Sequence, residues 1–163
     1  MKLTVKLCSQ ILKNFTSQVG GLQGLDYWER LSALKMYSQE RRREHYQIIY
    51  VWKVSQLLVS GYTLQFHHSP RRGRLVELPP VANGAPAAVR QAQEASLKVK
   101  EAKLFNLLPQ EVRNLDNVTV DMFKSNLDSW LGSVPDQPTI PGRQRAAASN
   151  SLLDQVILLN QTF

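Results

Sequence analysis

Residues 38–58 constrain the fold more than any other part of this chain. Ser38 is a helix-capping residue, and residues 39–58 place Tyr46, Ile49, Tyr50, Val54, Leu57 and Leu58 along one broad apolar face at helical spacing. A segment of this length and period predicts the longest helix of the molecule and the spine of its core. The flanking segments agree. Leu3, Leu7, Ile11 and Phe15 fall four apart, predicting a helix over 3–19 that ends at Gly20, Gly21 and Gly24. Asp26 with Glu29 three positions on is a capping-box signal ahead of Trp28, Leu31 and Leu34, predicting a helix over 27–36. Further on, 89–103 is loosely helical, Pro109 can start a turn at 110–115, and Thr119 caps a helix over 120–131 with Phe123, Leu127, Trp130 and Leu131 on one face. Only 62–66 and 75–78 have β-type composition, separated by Ser69-Pro70-Arg71-Arg72-Gly73. The expected fold is mainly α: a small helical bundle with one β-hairpin whose tip is basic.

Proline sets the expected boundaries. Residues 79–88 hold three prolines and a glycine and read as a loop, and 135–145 hold three more prolines. The expected division is therefore a basic helical part with the hairpin at 1–80, a helical extension packing on it at 81–134, and a flexible proline-containing tail at 135–163. In that tail 149–159 has a cap and apolar spacing suited to a short helix. At 163 residues the chain can bury one core. Its longest apolar run, Ile48-Ile49-Tyr50-Val51-Trp52, is too short to cross a bilayer, and the single Cys8 forms no disulfide framework, so an intracellular setting without membrane attachment is expected.

Charge is the first pointer to function. The net charge is +7, and the whole excess lies in residues 1–80. Between 41 and 74 the cations Arg41, Arg42, Arg43, Lys53, Arg71, Arg72 and Arg74 face a single acid, Glu44. Such a block attracts polyanions, and arginine forks match phosphate oxygens. These seven residues are the candidate nucleic-acid-binding set. Arg41–Arg43 also stand in the first turns of a helix, where the dipole disfavours cations by ~0.3–1 kcal/mol each. Two compensations are open: the acids Glu40 and Glu44 at helical spacing, or a phosphate bound at the helix N-terminus. If the arginines serve only phosphate, replacing all three with alanine leaves stability nearly unchanged.

Catalytic signatures are missing. The sequence has no phosphate-cradling glycine loop, no nucleophile elbow and no zinc-protease helix, and no two acids are adjacent, as a two-metal polymerase palm requires. His67-His68 sit side by side on a strand, pointing to opposite faces. No metal, cofactor or small-molecule substrate is expected, and the isolated chain is not expected to extend a primer.

Residues 25–53 carry a resemblance. Tyr27, Glu29-Arg30-Leu31, Leu34, Tyr37-Ser38, Glu40-Arg41-Arg42-Arg43 and Trp52-Lys53 resemble the segment that follows the catalytic palm in reverse transcriptases of non-LTR, LINE-type (Jockey-like) retrotransposons. Downstream, Arg71-Arg72-Gly73-Arg74, Leu104-Phe105-Asn106-x-Leu108-Pro109, Val112-Arg113-Asn114 and Phe123-Lys124-x-x-Leu127-Asp128-x-x-Leu131 look like the family's later landmarks in the same order, and Phe15-Thr16 matches its lead-in. The resemblance covers roughly residues 11–136. It implies a helical thumb and its C-terminal extension, without fingers, palm or catalytic aspartates, from a truncated element copy. The implied partner is the backbone of RNA or an RNA–DNA hybrid, together with a parent palm domain. Two alternatives are a thumb subunit whose palm is on another chain, and a structural or protein-interaction remnant with no nucleic-acid role.

Overall fold

The computed structural model describes residues 2–80, 84–138 and 149–161. Among them the chain forms eight helices and one antiparallel hairpin, so the fold is mainly α. The helices are α1 (Lys2–Ser17), α2 (Tyr27–Ala33), α3 (Gln39–Ser55), α4 (Ala87–Glu94), α5 (Leu97–Asn106), α6 (Gln110–Arg113), α7 (Val120–Leu131) and α8 (Leu152–Gln161); the strands are β1 (Phe66–Ser69) and β2 (Gly73–Val76). No helix among the described residues is long and apolar enough to cross a membrane.

Contacts divide the chain into two units, residues 1–44 with 134–163 and residues 45–133, so α3 crosses the boundary. This differs from the division at 80/81 suggested by composition. The hairpin belongs with the helices that follow it, because β2 packs on α5 and α6. The stretch 81–83 of the proposed linker lies outside the described residues.

The first unit has a strongly polar interior. Leu31, Val134 and Leu152 are buried, but so are Thr16, Ser38, Arg41, Glu44, Asn150 and Gln155. The capping box forms as the sequence indicates: Asp26 Oδ1 accepts from the amides of Trp28 and Glu29, and the Glu29 carboxylate accepts from the Asp26 amide. Arg30 ties α2 to α1 by donating to Thr16 Oγ1 at 3.3 Å. On α1 the expected stripe of Leu7, Ile11 and Phe15 points outward, at 62%, 59% and 59% exposure, while Thr16 turns inward. In the tail the short helix expected over 149–159 forms as α8, and its packing is what the sequence did not indicate. Residues 149–155 return to this unit and begin α8 against Glu44, because Ser151 and the Leu152 amide donate to its carboxylate. The proline-containing stretch at 139–148 lies outside the described residues.

The second unit holds an apolar core. Ile48, Val51, Trp52, Val76, Ala102, Leu104, Phe105, Phe123, Leu127 and Leu131 are almost wholly buried. Trp52 stacks on Phe123 with ring centroids 4.4 Å apart and donates its indole N–H to the Leu115 carbonyl at 2.8 Å. The face of α3 expected to be buried is only partly so. Ile49 and Val54 are inside while Tyr46 is exposed, and the inward side is set by Trp52 and Ile48 instead; α3 ends at Ser55, short of the expected 58, so the exposed Leu57 and Leu58 lie beyond it. Thr119 caps α7 by accepting from the Met122 amide. A break at Ala95-Ser96 splits the expected 89–103 helix, with Ser96 capping α5.

The strands pair in register Phe66↔Val76 through Ser69↔Gly73, a little later than composition suggested for the first strand. The outer edge of β2 is closed by two side-chain amides. Asn106 exchanges hydrogen bonds with Val76 N and O at 2.8 and 2.9 Å, and Asn114 Oδ1 accepts from the Arg74 amide at 2.8 Å. They act as a third strand would, satisfying an edge that otherwise invites pairing with another chain.

Candidate nucleic-acid interface

Three consecutive helical residues project about 100° apart, so Arg41, Arg42 and Arg43 cannot share one face. The fold of the first unit gives each a different role. Arg41 is fully buried. Its guanidinium donates to the Val134 and Pro135 carbonyls at 3.3 and 2.8 Å, and its Nε stands 3.7 Å from Glu44 Oε2. A side chain so enclosed does not reach a phosphate. Burial lowers the Arg41 pKa from its ordinary value, opposed by Asp136 and Glu44. Arg42 is half-buried and donates to the Tyr37 carbonyl at 3.0 Å. Arg43 is partly exposed and ion-pairs with no carboxylate among the described residues.

The N-terminus of α3 also differs from the phosphate-binding arrangement. Ser38 Oγ accepts from the Arg41 amide at 3.1 Å, and Asp136 accepts from the Ser38 amide and hydroxyl at 2.6 and 2.7 Å. Asn150 Nδ2 donates to both Ser38 Oγ and Asp136 Oδ1. An anion does sit at this dipole, as the arginine excess requires, and it is a carboxylate of the same chain. Asp136 is 98 residues from Ser38, so no local signal connects them.

In the second unit the hairpin tip gathers the other cations. Arg71 and Arg72 are exposed. Arg74 makes a two-pronged ion pair with Asp116, whose carboxylate also accepts from Gln56 at 2.7 Å. Beneath the tip lies Arg113, only 5% exposed, which donates to the Asn106 carbonyl at 2.7 Å and to the Arg72 carbonyl. Burial lowers its pKa, and the nearby Arg72 charge adds to that. Arg113 is a positioning residue that charge counting passes over: it fixes the backbone from which Arg71 and Arg72 project. Lys53 is partly exposed on α3 and also ion-pairs with no carboxylate among the described residues.

Of the seven candidates, then, Arg71, Arg72 and Arg74 share the hairpin tip, Lys53 stands on α3 in the same unit, and Arg41 is structural. Of the two adjacent histidines, His67 lies 3.9 Å from Glu77, and no group of three or more His, Cys, Asp or Glu among the described residues could hold a metal ion. No family model, curated protein or solved structure matches this chain.

Proposed function

We propose that this chain is a non-catalytic nucleic-acid-binding protein corresponding to the thumb and post-palm region of a non-LTR retrotransposon reverse transcriptase, gripping RNA or an RNA–DNA hybrid by its phosphates. The observation that carries the reading is the hairpin tip, where Arg71 and Arg72 project freely from a backbone held by buried Arg113. Two guanidinium groups on a braced turn meet phosphate oxygens with little loss of conformational freedom. Phosphate contacts position a strand without reading its sequence, so binding is expected to be nearly sequence-independent. The test is titration of a labelled RNA–DNA hybrid with the chain and with Arg71→Ala/Arg72→Ala. The double variant should bind at least tenfold more weakly while melting at the same temperature; equal affinity would refute the reading.

One observation favours a second reading, that of a protein-interaction remnant. The outward stripe Leu7, Ile11 and Phe15 of α1 is an apolar surface with no cover among the described residues. On that reading, replacing these residues with serine changes self-association, and neither the parent nor the variant binds the hybrid.

A further inference from the structure

Apart from the arginines, the second unit carries a surface on which aromatic rings and cations alternate. Tyr46, Tyr50 and Lys53 are four and three residues apart on α3, on the side opposite buried Ile48, Val51 and Trp52, so they line one outward stripe. Tyr46 is 68% exposed. The Tyr50 ring stands 5.5 Å from that of Tyr62, tilted by 55°. Tyr62 is itself held in place, donating its hydroxyl to Glu101 Oε2 at 3.1 Å, and Lys98 Nζ lies 5.6 Å from its ring centroid. Neither Lys53 nor Lys98 ion-pairs with a carboxylate among the described residues. Tyr50 and Tyr62 are in ring contact, and the Tyr46 ring meets that of His45 edge-on with centroids 5.7 Å apart.

An exposed tyrosine ring, Tyr46, beside the partly exposed Tyr50 and an ammonium group, Lys53, that meets no carboxylate among the described residues, has the features that single-stranded nucleic acids use: bases stack on aromatics while phosphates meet cations. Apolar protein surface suits this stripe poorly, because it would bury the Lys53 ammonium without a partner. Duplex suits it poorly too. One helical turn separates Tyr46 from Tyr50 by about 6 Å along the axis, whereas bases in a duplex strand are stacked about 3.4 Å apart, so bases meeting both rings must first part from each other. We infer that Tyr46, Tyr50 and Lys53, with Tyr62 and Lys98 beside them, form a stacking surface for unpaired bases of single-stranded RNA. The inference rests on the nucleic-acid reading above and adds a base contact to its phosphate contacts.

The test uses the full chain and two labelled strands of equal length, an oligouridylate and its abasic counterpart, followed by fluorescence anisotropy. The chain should prefer the base-bearing strand by about tenfold, a typical stacking contribution. Tyr46→Ala should abolish that preference and Tyr46→Phe should keep it, with affinity for the abasic strand unchanged in both. Because Tyr46 is exposed, these variants are expected to keep the wild-type circular dichroism and melting temperature. Equal, salt-dependent binding of both strands by the parent chain, or a preference that survives Tyr46→Ala, would overturn the stacking surface and leave the phosphate reading standing. Binding of neither strand would overturn the stacking surface, while the phosphate reading stands or falls by the hybrid titration above.

Discussion

Arg41 and Glu44 show how the same residue types serve opposite ends a few positions apart. Glu44 accepts from the Leu152 amide and the Ser151 hydroxyl and faces Arg41, so each of the pair offsets part of the other's desolvation. Removing the guanidinium leaves the Val134 and Pro135 carbonyls without their donor and the buried Glu44 carboxylate without its facing cation. Arg41→Ala should therefore destabilise the protein by about 3–5 kcal/mol, whereas Arg43→Ala should stay within about 0.5 kcal/mol; urea melts of the two variants check this, and equal midpoints would contradict it. The alanine triple replacement that charge alone makes harmless becomes costly through Arg41 by itself. Glu44 adds a pH signature. Burial outweighs its hydrogen bonds and lifts its pKa from 4.5 to about 7. The folded chain thus holds this proton more tightly than the unfolded chain, so the contribution is complete below about 4.5 and is lost as pH rises through about 7. His45, whose pKa burial lowers, has the opposite slope but is common to both proteins in a comparison with Glu44→Gln. The melting temperature of the parent should fall relative to Glu44→Gln between pH 4.5 and 8, and a constant difference would exclude the assignment.

The hairpin is an element whose existence was legible and whose support was not. Turn composition around Pro70 and Gly73 marked the tip, because few residue types tolerate such backbone. The residues that hold it, Asn106, Arg113 and Asn114, lie 30 or more positions away and announce nothing locally. Gly73 joins the two levels. Its φ is +70°, and a Cβ there would come within 2.5 Å of the Asn114 amide that accepts from Arg74 N. Gly73→Ala should cost roughly 1–3 kcal/mol, accelerate hydrogen exchange at the Arg74 amide and weaken hybrid binding; an unchanged exchange rate would contradict the described turn. Helix α3 teaches the complementary lesson. Its start was readable from the cap, but its end, three residues earlier than expected, and its buried side were not, since tyrosine and leucine counted as core while the true inward positions include Arg41 and Glu44 paired with each other. Periodicity reports where apolar residues recur and is blind to a buried ion pair made with a distant segment.

For the chain as a whole, the mainly α class followed from caps and period, while the grouping into units did not, because it depends on contacts such as Ser38 with Asp136 and β2 with α5. The +7 charge is likewise only partly available for binding. Arg41 is enclosed, Arg42 is half-buried against the Tyr37 carbonyl and Arg74 is paired, leaving Arg71, Arg72 and Lys53 in the second unit as the cations best placed for phosphate. The central claim is that these exposed cations, the hairpin pair above all, bind a nucleic-acid backbone. It is tested most directly by the slope of log K against log salt for an RNA–DNA hybrid. With about three phosphates contacted, the parent slope should be roughly −2.5 to −3, and Arg71→Ala/Arg72→Ala should flatten it by nearly 2. A parent slope near zero, or a double variant with the parent's slope, would contradict it.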